Sequence, residues 1–317
     1  MPTEAPGLTV SVVVPTAGRS AALAQVVAAA LADEPTEVVV VDDRRDVTRN
    51  LALPDDPRVR TVAGQHQGPG PARQAGAEAA VGDIVLLLDD DVVPAPGLVA
   101  GHAARHAARE ELVVVGAMPV DLGLSEPRPR YPRALYAADY ARRVAGWTAD
   151  PAEVLERLWT GNVSLRRADA LRVGLHDPAY RGYRHEDRDF GLRCRAAGLQ
   201  GVFAPQLRAA HRYARAPEAF FADARAQGAE QAQLMRLHPA AAVPTTASDL
   251  LTGVPGPLRP VLLLATRRRA APVLRAALRG LLAVAGAVRA DGTALRLAQI
   301  RRRVEQLDGW THPGVGQ

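Results

Sequence analysis

The chain has no lysine; all 39 of its basic residues are arginine. It holds a single cysteine, Cys194, and only four Phe, six Tyr and three Trp among 317 residues. One cysteine excludes an intrachain disulfide and fits a reducing compartment. So few aromatics leave Val, Leu and Ala to build the core. The opening MPTEAPGLTV lacks the charged and apolar regions of a secretory leader. No stretch offers the roughly 18 uninterrupted apolar residues of a membrane span. Zinc-ligand spacings, aromatic-rich strands of the RNA-binding kind and internal repeats are all missing, which argues against nucleic acid as a partner. The expected compartment is the cytoplasm.

What is there is ordinary globular material, 48% hydrophobic and 23% charged, enough for one large domain or two smaller ones. The formal charge of +5 permits an acidic partner without naming one. Because arginine replaces lysine throughout, its abundance reads first as a compositional bias.

The first third alternates between apolar runs and helical stretches. VSVVV (residues 10–14), EVVVV (37–41), RVRTV (58–62) and DIVLLL (83–88) read as strands. Residues 21–32 and 71–80 read as helices, the second with a proline near its start. Continuous apolar strands separated by helices predict a parallel sheet covered on both faces. Further on, residues 97–108 read as a helix, 111–120 as a strand and WTGNVSLRR (159–167) as a strand entered through a glycine turn. Residues 186–198 read as a helix closed by glycine, GVFAP (201–205) as a short strand and 217–237 as a helix. Residues 121–150, which contain the proline-broken SEPRPRYPR, give no clear element.

The stretch DIVLLLDDDVVP runs a buried strand straight into three carboxylates, Asp89, Asp90 and Asp91. Neighbouring like charges disfavour one another's ionisation. Open parallel sheets bind ligands at the carboxyl ends of their strands, and Asp42 and Asp43 fall at another such end. Magnesium and manganese take oxygen ligands, often one or two carboxylates completed by substrate phosphates. A D-x-D spacing on an extended segment turns Asp89 and Asp91 to one side and Asp90 to the other. The charges therefore point to a divalent metal and, through it, to a phosphate-bearing ligand.

With VSVVVPTAGR, EVVVVDD, GPARQAGAEAAVGDIVLLLDDDVVP, WTGNVSLRR and YRGYRHEDRDFGLRCRAAG in this order, the chain resembles the family 2 glycosyltransferases over about residues 9–239. That resemblance implies an α/β, GT-A-type nucleotide-diphospho-sugar transferase fold, with a mostly parallel central sheet flanked by helices. It implies an inverting, metal-dependent transfer from a nucleotide-diphosphate sugar, with UDP the expected nucleotide and Mn2+ or Mg2+ the cofactor. Pro15 and Thr16 match the turn bordering the nucleotide. Asp43 matches the acid that accepts a uracil-type N3–H, although DDRRD replaces the usual small residues after it. Arg73 matches a position near the ribose and phosphates. Asp89 and Asp91 match the metal-binding pair, and Asp90 falls with them on the donor side. His211 falls where some members place a further metal ligand. Gly161 and Asn162 match the loop under the donor sugar, where a turn needing positive φ is the structural alternative. Glu186 and Asp187 match the catalytic acidic pair, Asp187 as general base, with helix capping as the alternative. Arg188 and Asp189 would then face away, and Tyr183 and His185 sit near enough to reach an acceptor.

On this reading residues 1–239 form the transferase domain, 9–118 holding the nucleotide sugar and 119–239 the acceptor. Residues 240–258 form a Pro/Gly/Thr-rich linker and 259–317 an Arg-rich helical extension. Residues 259–303 carry eleven arginines against one acid, Asp291. Peripheral attachment to the inner face of a membrane is one reading of that tail, a solvated and partly packed appendage the other. Two rival functions stand beside the transferase. A nucleotidylyltransferase needs a Gly-rich loop and a phosphate-binding lysine, and PTAGRSAAL in a lysine-free chain supplies neither. A nucleotide-sugar-binding protein without catalysis would not need both acidic motifs.

Overall fold

The structure, a computed structural model, describes residues 7–18, 20–46, 50–123, 129–178, 185–239, 241, 251, 254 and 256–313. They divide into two compact units, residues 1–122 with 141–213 and residues 123–140 with 214–317.

In the first unit the described strands are β1 (Val10–Thr16), β2 (Glu37–Asp42), β3 (Val59–Ala63), β4 (Ile84–Leu88), β5 (Val92–Pro94), β6 (Leu112–Ala117), β7 (Asn162–Arg166) and β8 (Gln200–His211). They make one sheet in the order 3-2-1-4-7-6-8-5. β3, β2, β1 and β4 run parallel, as the continuous apolar runs of β1, β2 and β4 predict. Every residue of β1, β2 and β4 is buried, whereas β3, at the edge, is half exposed. β7 enters antiparallel between β4 and β6, and β8 runs parallel to β6. The helices of this unit are α1 (Leu23–Leu31), α2 (Pro69–Ala79), α3 (Leu98–Ala108), the part of α4 (Tyr131–Ala149) after Tyr140, α5 (Glu153–Glu156), α6 (Arg167–Val173) and α7 (Glu186–Ala196). The core is valine, leucine and alanine, with Trp147 and Phe190 among the few rings in it.

Two expectations are corrected here. Residues 121–150 are not shapeless, because α4 fills nineteen of them with Pro132 at its first turn, where the missing N–H costs nothing. The short strand expected at 201–205 is twelve residues long. Pro205 lies in the register break between Gly116 and Ala117 of β6, so its lack of an N–H is tolerated.

The second unit contains α8 (Pro217–Leu237), α9 (Arg259–Leu263), α10 (Ala270–Ala287) and α11 (Asp291–Thr311). The division falls elsewhere than the expected boundary at residue 239. α8 belongs with the C-terminal helices, lying so close to α11 that a Cβ on Gly228 would stand 2.0 Å from the Gln306 carbonyl oxygen. Of the expected linker, 240–258, thirteen of the nineteen residues lie outside the described residues. Part of the tail's arginine is structural. Arg301, buried, forks onto Glu218 at 3.0 and 2.7 Å and stacks 3.9 Å over the Phe221 ring. Arg275 reaches Asp308 at 2.8 Å.

Gly228→Ala tests the α8–α11 packing. Alanine favours a helix by about 1 kcal/mol over glycine. Forcing a methyl into a filled contact costs about 1–3 kcal/mol, and here the neighbour is backbone, which cannot swing aside. The variant is expected to unfold at lower urea concentration than wild type; equal or greater stability would refute the close packing.

Candidate active site

β4 ends at Leu88, and the next three residues carry the carboxylates. They do not continue as a strand: the Val92 N–H donates to the Asp89 carbonyl at 3.0 Å and closes a turn. Each carboxylate therefore meets a different neighbour. Asp89 accepts from Arg73 at 2.7 Å. Asp90 accepts from the Thr16 hydroxyl at the end of β1, and its carbonyl accepts from Ser20 at 2.7 Å. Asp91 stands 3.3 Å from His211 Nε2, and its carbonyl accepts from the Arg212 N–H at 2.7 Å. The expectation that Asp90 simply faces away is corrected by that turn, since two-residue alternation holds only along an extended strand. His211 arrives because the antiparallel pairing of β5 with β8 sets it opposite Val92.

Arg73 is the link to the second acidic motif. It is buried on α2, and its guanidinium donates to Asp89 at 2.7 Å and to Asp187 at 3.2 Å. Burial works against its charge, but Asp89, Asp187 and Glu186 outweigh that and hold the guanidinium above its ordinary value. Burial in turn pushes the Asp89 carboxyl up, against the pull of Arg73 and with the push of Asp91 and Asp187. Asp89 sits deep among protein atoms, yet 34% of its side-chain surface still meets solvent, so this rise carries little energetic weight.

Asp187 lies in the first turn of α7 with Glu186 and Asp189, where carboxylates favour the helix dipole. Its side chain does not cap its own helix. One oxygen, Oδ2, accepts the Thr160 N–H at 3.2 Å, and Oδ1 accepts both the Thr160 hydroxyl and Arg73. Thr160 was not singled out by sequence, though it stands directly before the Gly161–Asn162 pair. Asp189 is buried on Arg193 at 2.9 Å and Arg188 donates to the Glu156 carbonyl at 2.9 Å, so both turn elsewhere, as expected. His185 is buried just before α7; Tyr183 lies outside the described residues.

At the end of β2, Asp42 is held below the ordinary carboxylate range by the Arg44 side chain. Asp43 accepts the backbone N–H groups of His66 at 2.6 Å and Gly68 at 2.9 Å, fixing the loop that leads into α2. Pro15 is buried in β1, and Thr16 at its end also accepts the Gly18 N–H at 3.0 Å. The carboxyl ends of three adjacent parallel strands thus carry Asp43, Thr16 and Asp89 to Asp91.

β7 brings the glycine loop in from the other side. Its register pairs Leu88 with Asn162, and the Asp89 N–H donates to the Gly161 carbonyl at 3.3 Å. Gly161 does not need positive φ. It needs to be glycine because a Cβ would stand 2.8 Å from Asp89 Oδ2 and 2.7 Å from Met118 Sδ. Asn162, expected on the donor side, turns its amide into the interior. Its Nδ2 donates to the Ala117 and Leu207 carbonyls at 3.2 and 3.1 Å, leaving Oδ1 to accept from His102 Nε2 at 3.0 Å. That fixes the tautomer: His102 Nδ1 accepts from Ser164 Oγ at 2.7 Å, and Ser164 Oγ accepts from His106 Nε2 at 2.8 Å. Both histidines are fully buried and neutral, burial pushing His102 down to about 3 and His106 down to about 4.

Among the described residues no three His, Cys, Asp or Glu side chains converge as a metal site. Asp91 and His211 form a two-donor set, which suits a cation completed by substrate phosphates rather than one caged by protein alone. Asp89, expected as the other metal ligand, is engaged by Arg73.

A family model described as Glycosyl transferase family 2 matches residues 11–186. A validoxylamine A glucosyltransferase of Streptomyces hygroscopicus subsp. limoneus is 31% identical over 218 residues, 60% of this chain and 48% of the relative. The chain spans about half the length of the curated relatives it matches. Among solved structures, the mannosyltransferase PcManGT of Pyrobaculum calidifontis, in complex with GDP-Man and Mn2+, is similar at a TM-score of 0.54 and 16% identity, over 97% of this chain and 88% of that one. S. aureus TarS 1-349 in complex with UDP is similar at a TM-score of 0.50 and 17% identity, over 96% of this chain and 89% of that one. The GT-A-type mixed α/β fold expected from sequence is the fold found.

The histidine pair gives the site an acid limit. In the unfolded chain each histidine takes a proton near pH 6.5, whereas in the fold both stay neutral until about 4 and 3. Their folded values are depressed, so unfolding takes up protons below about pH 6.5 and stability falls from there toward pH 4. At pH 5 the loss is at most about 2 kcal/mol per histidine. The urea midpoint of wild type is expected to drop between pH 7 and pH 5. His102→Gln/His106→Gln is expected to start lower at pH 7 and change much less; an equal drop in both proteins would refute the assignment.

Proposed function

This chain belongs to glycosyl transferase family 2 and is a glycosyltransferase, and we propose that it moves a sugar from a nucleoside-diphosphate donor to an acceptor hydroxyl with inversion, Asp187 acting as general base. The observation that carries this reading is the posture of Asp187. Its carboxylate leaves its own helix, is oriented by both Thr160 groups, and is tied through Arg73 to Asp89 at the end of β4.

Asp187 Oδ1 already accepts from Arg73 and the Thr160 hydroxyl, so Oδ2, with the single Thr160 N–H bond, is the oxygen that would take the proton. An acceptor hydroxyl is a poor nucleophile until a positioned base removes its proton as it attacks. Arg73 would orient that carboxylate and fix its distance from the strand ends. Asp91 and His211 would hold the divalent metal, Mn2+ or Mg2+, whose charge stabilises the departing diphosphate when bound. We take the donor nucleotide to be UDP, with the lone pairs of Asp43 not used by His66 and Gly68 meeting the base. Glucose is the first sugar to test, because a relative with 31% identity carries glucosyltransferase in its name.

Asp187→Asn keeps the side chain's size but cannot accept a proton at neutral pH. Turnover is expected to fall about a hundredfold to ten-thousandfold, with donor affinity, read as protection against thermal unfolding, nearly unchanged. Asp91→Ala is expected to abolish the metal dependence of donor binding while the fold persists. Near-normal turnover of Asp187→Asn on a working donor would remove Asp187 as base, and unaltered metal dependence in Asp91→Ala would remove the metal assignment.

A further inference from the structure

Among the described residues, eleven large hydrophobic side chains are strongly exposed, and eight of them lie between residues 258 and 288. Scattered exposed hydrophobics are ordinary, but contiguous ones mark a contact surface. The concentration falls on α10 and the turns before it. α10 has two apolar faces. Leu278, Leu282 and Ala285 are buried among the neighbouring helices. On the other side Val273, Leu281, Val284 and Val288 are 52–68% exposed, and Ala277 completes the 4-4-3-4 spacing of one stripe. The mean hydropathy over the 18 residues is 1.4, enough by length and composition alone to cross a membrane.

The charges of this region fall into two groups. Arg275 and Arg279 lie on the flank of α10 and are paired, Arg275 inward with the buried Glu305 at 3.4 Å and Asp308 at 2.8 Å, Arg279 at the surface with the exposed Glu218 at 3.7 Å. Arg267, Arg268 and Arg269, just before α10, and Arg289, just after it, are exposed and ion-pair with no described residue. No acid occurs from residue 259 to residue 290. An uncovered apolar stripe is therefore framed at both ends by uncompensated cations.

We propose that this face docks on an anionic lipid surface, with α10 lying in the interface and the arginines among the headgroups. A second copy of the chain would bury the same stripe, but it would set the exposed arginines at its ends against their own like charges. A transmembrane placement would strip Arg275 and Arg279 from their partners on the other helices. A lipid surface covers the stripe and neutralises the cations together, and it leaves the buried face of α10 in place.

The test uses the full chain with vesicles of phosphatidylcholine, alone and with phosphatidylglycerol admixed, at low and high salt. Co-sedimentation is expected with the anionic vesicles at low salt, little with the neutral ones, and release by high salt or alkaline carbonate. Arg267→Ala/Arg268→Ala/Arg269→Ala is expected to lower the partition on the order of a hundredfold, at about fivefold per charge. Val273→Ser/Leu281→Ser/Val284→Ser/Val288→Ser changes only exposed positions. It is expected to keep its melting temperature and lose at least about tenfold in partition. Absence of binding to anionic vesicles at low salt, or wild-type partition in both variants, overturns the proposal. So does resistance to carbonate, which would mean a span, or a wild-type dimer by light scattering that the serine variant dissociates.

Discussion

One guanidinium holds the candidate active site together. Arg73 comes from α2, Asp89 from the end of β4 and Asp187 from α7, the two carboxylates lying 16 and 114 residues further along the chain. Without a cation between them, two acids would face each other with no opposite charge to hold them together. A buried charge is stable only when paired and hydrogen-bonded, and removal of one partner leaves the others uncompensated. A planar fork can serve two carboxylates at once, which the point charge of a lysine does less well. The arginine bias of this chain is thus not only compositional, since at this position the geometry requires the fork.

The positions of the other groups follow from strand direction. β7 runs against β4, so the residue that opens it stands beside the residue that ends β4. That places Thr160 and Gly161 next to Asp89, and Thr160 then orients Asp187. Behind this loop the Asn162 amide ties β7 to the backbone of residues 117 and 207. The His102–Ser164–His106 chain then ties it to α3. Polar groups this deep are tolerable because, His106 Nδ1 apart, each has a partner, and the proton order is the same along the chain. The loop at residues 160–162 is thus anchored on one side by polar and neutral groups.

Much of this was legible in the sequence, and the exceptions have physical causes. Three of the four parallel strands, β1, β2 and β4, show as apolar runs, and the acids that end β2 and follow β4 show as breaks in them. The direction of β7 did not show, because an apolar run has no sign; only its pairing gives it one. Asp90 was misread because alternation was extended past the end of β4, into a turn closed by the Val92 N–H. α4 and the length of β8 were hidden by prolines, which stop an element in its interior but not at a helix's first turn or a strand's bulge. Sequence spacing gives the position of Asn162 and leaves its side chain's partner open; in the fold the amide turns to the Ala117 and Leu207 carbonyls. Arg73 was found by resemblance, but its bridging of two acids needed coordinates.

α10 shows the same limit from the other direction. Arg275 and Arg279 interrupt its apolar run, so a search for an unbroken span passes over it. In the fold Arg275 is drawn to the buried Glu305 and Asp308 and packs the helices together, while Arg279 makes a surface pair with Glu218. The effective surface of the helix is consequently more apolar than its sequence. Arg267 to Arg269 and Arg289 have no such acids beside them, and their charge remains available at the surface. Equal residues in one segment thus do opposite work, and what separates them is whether a carboxylate on a neighbouring helix lies within reach.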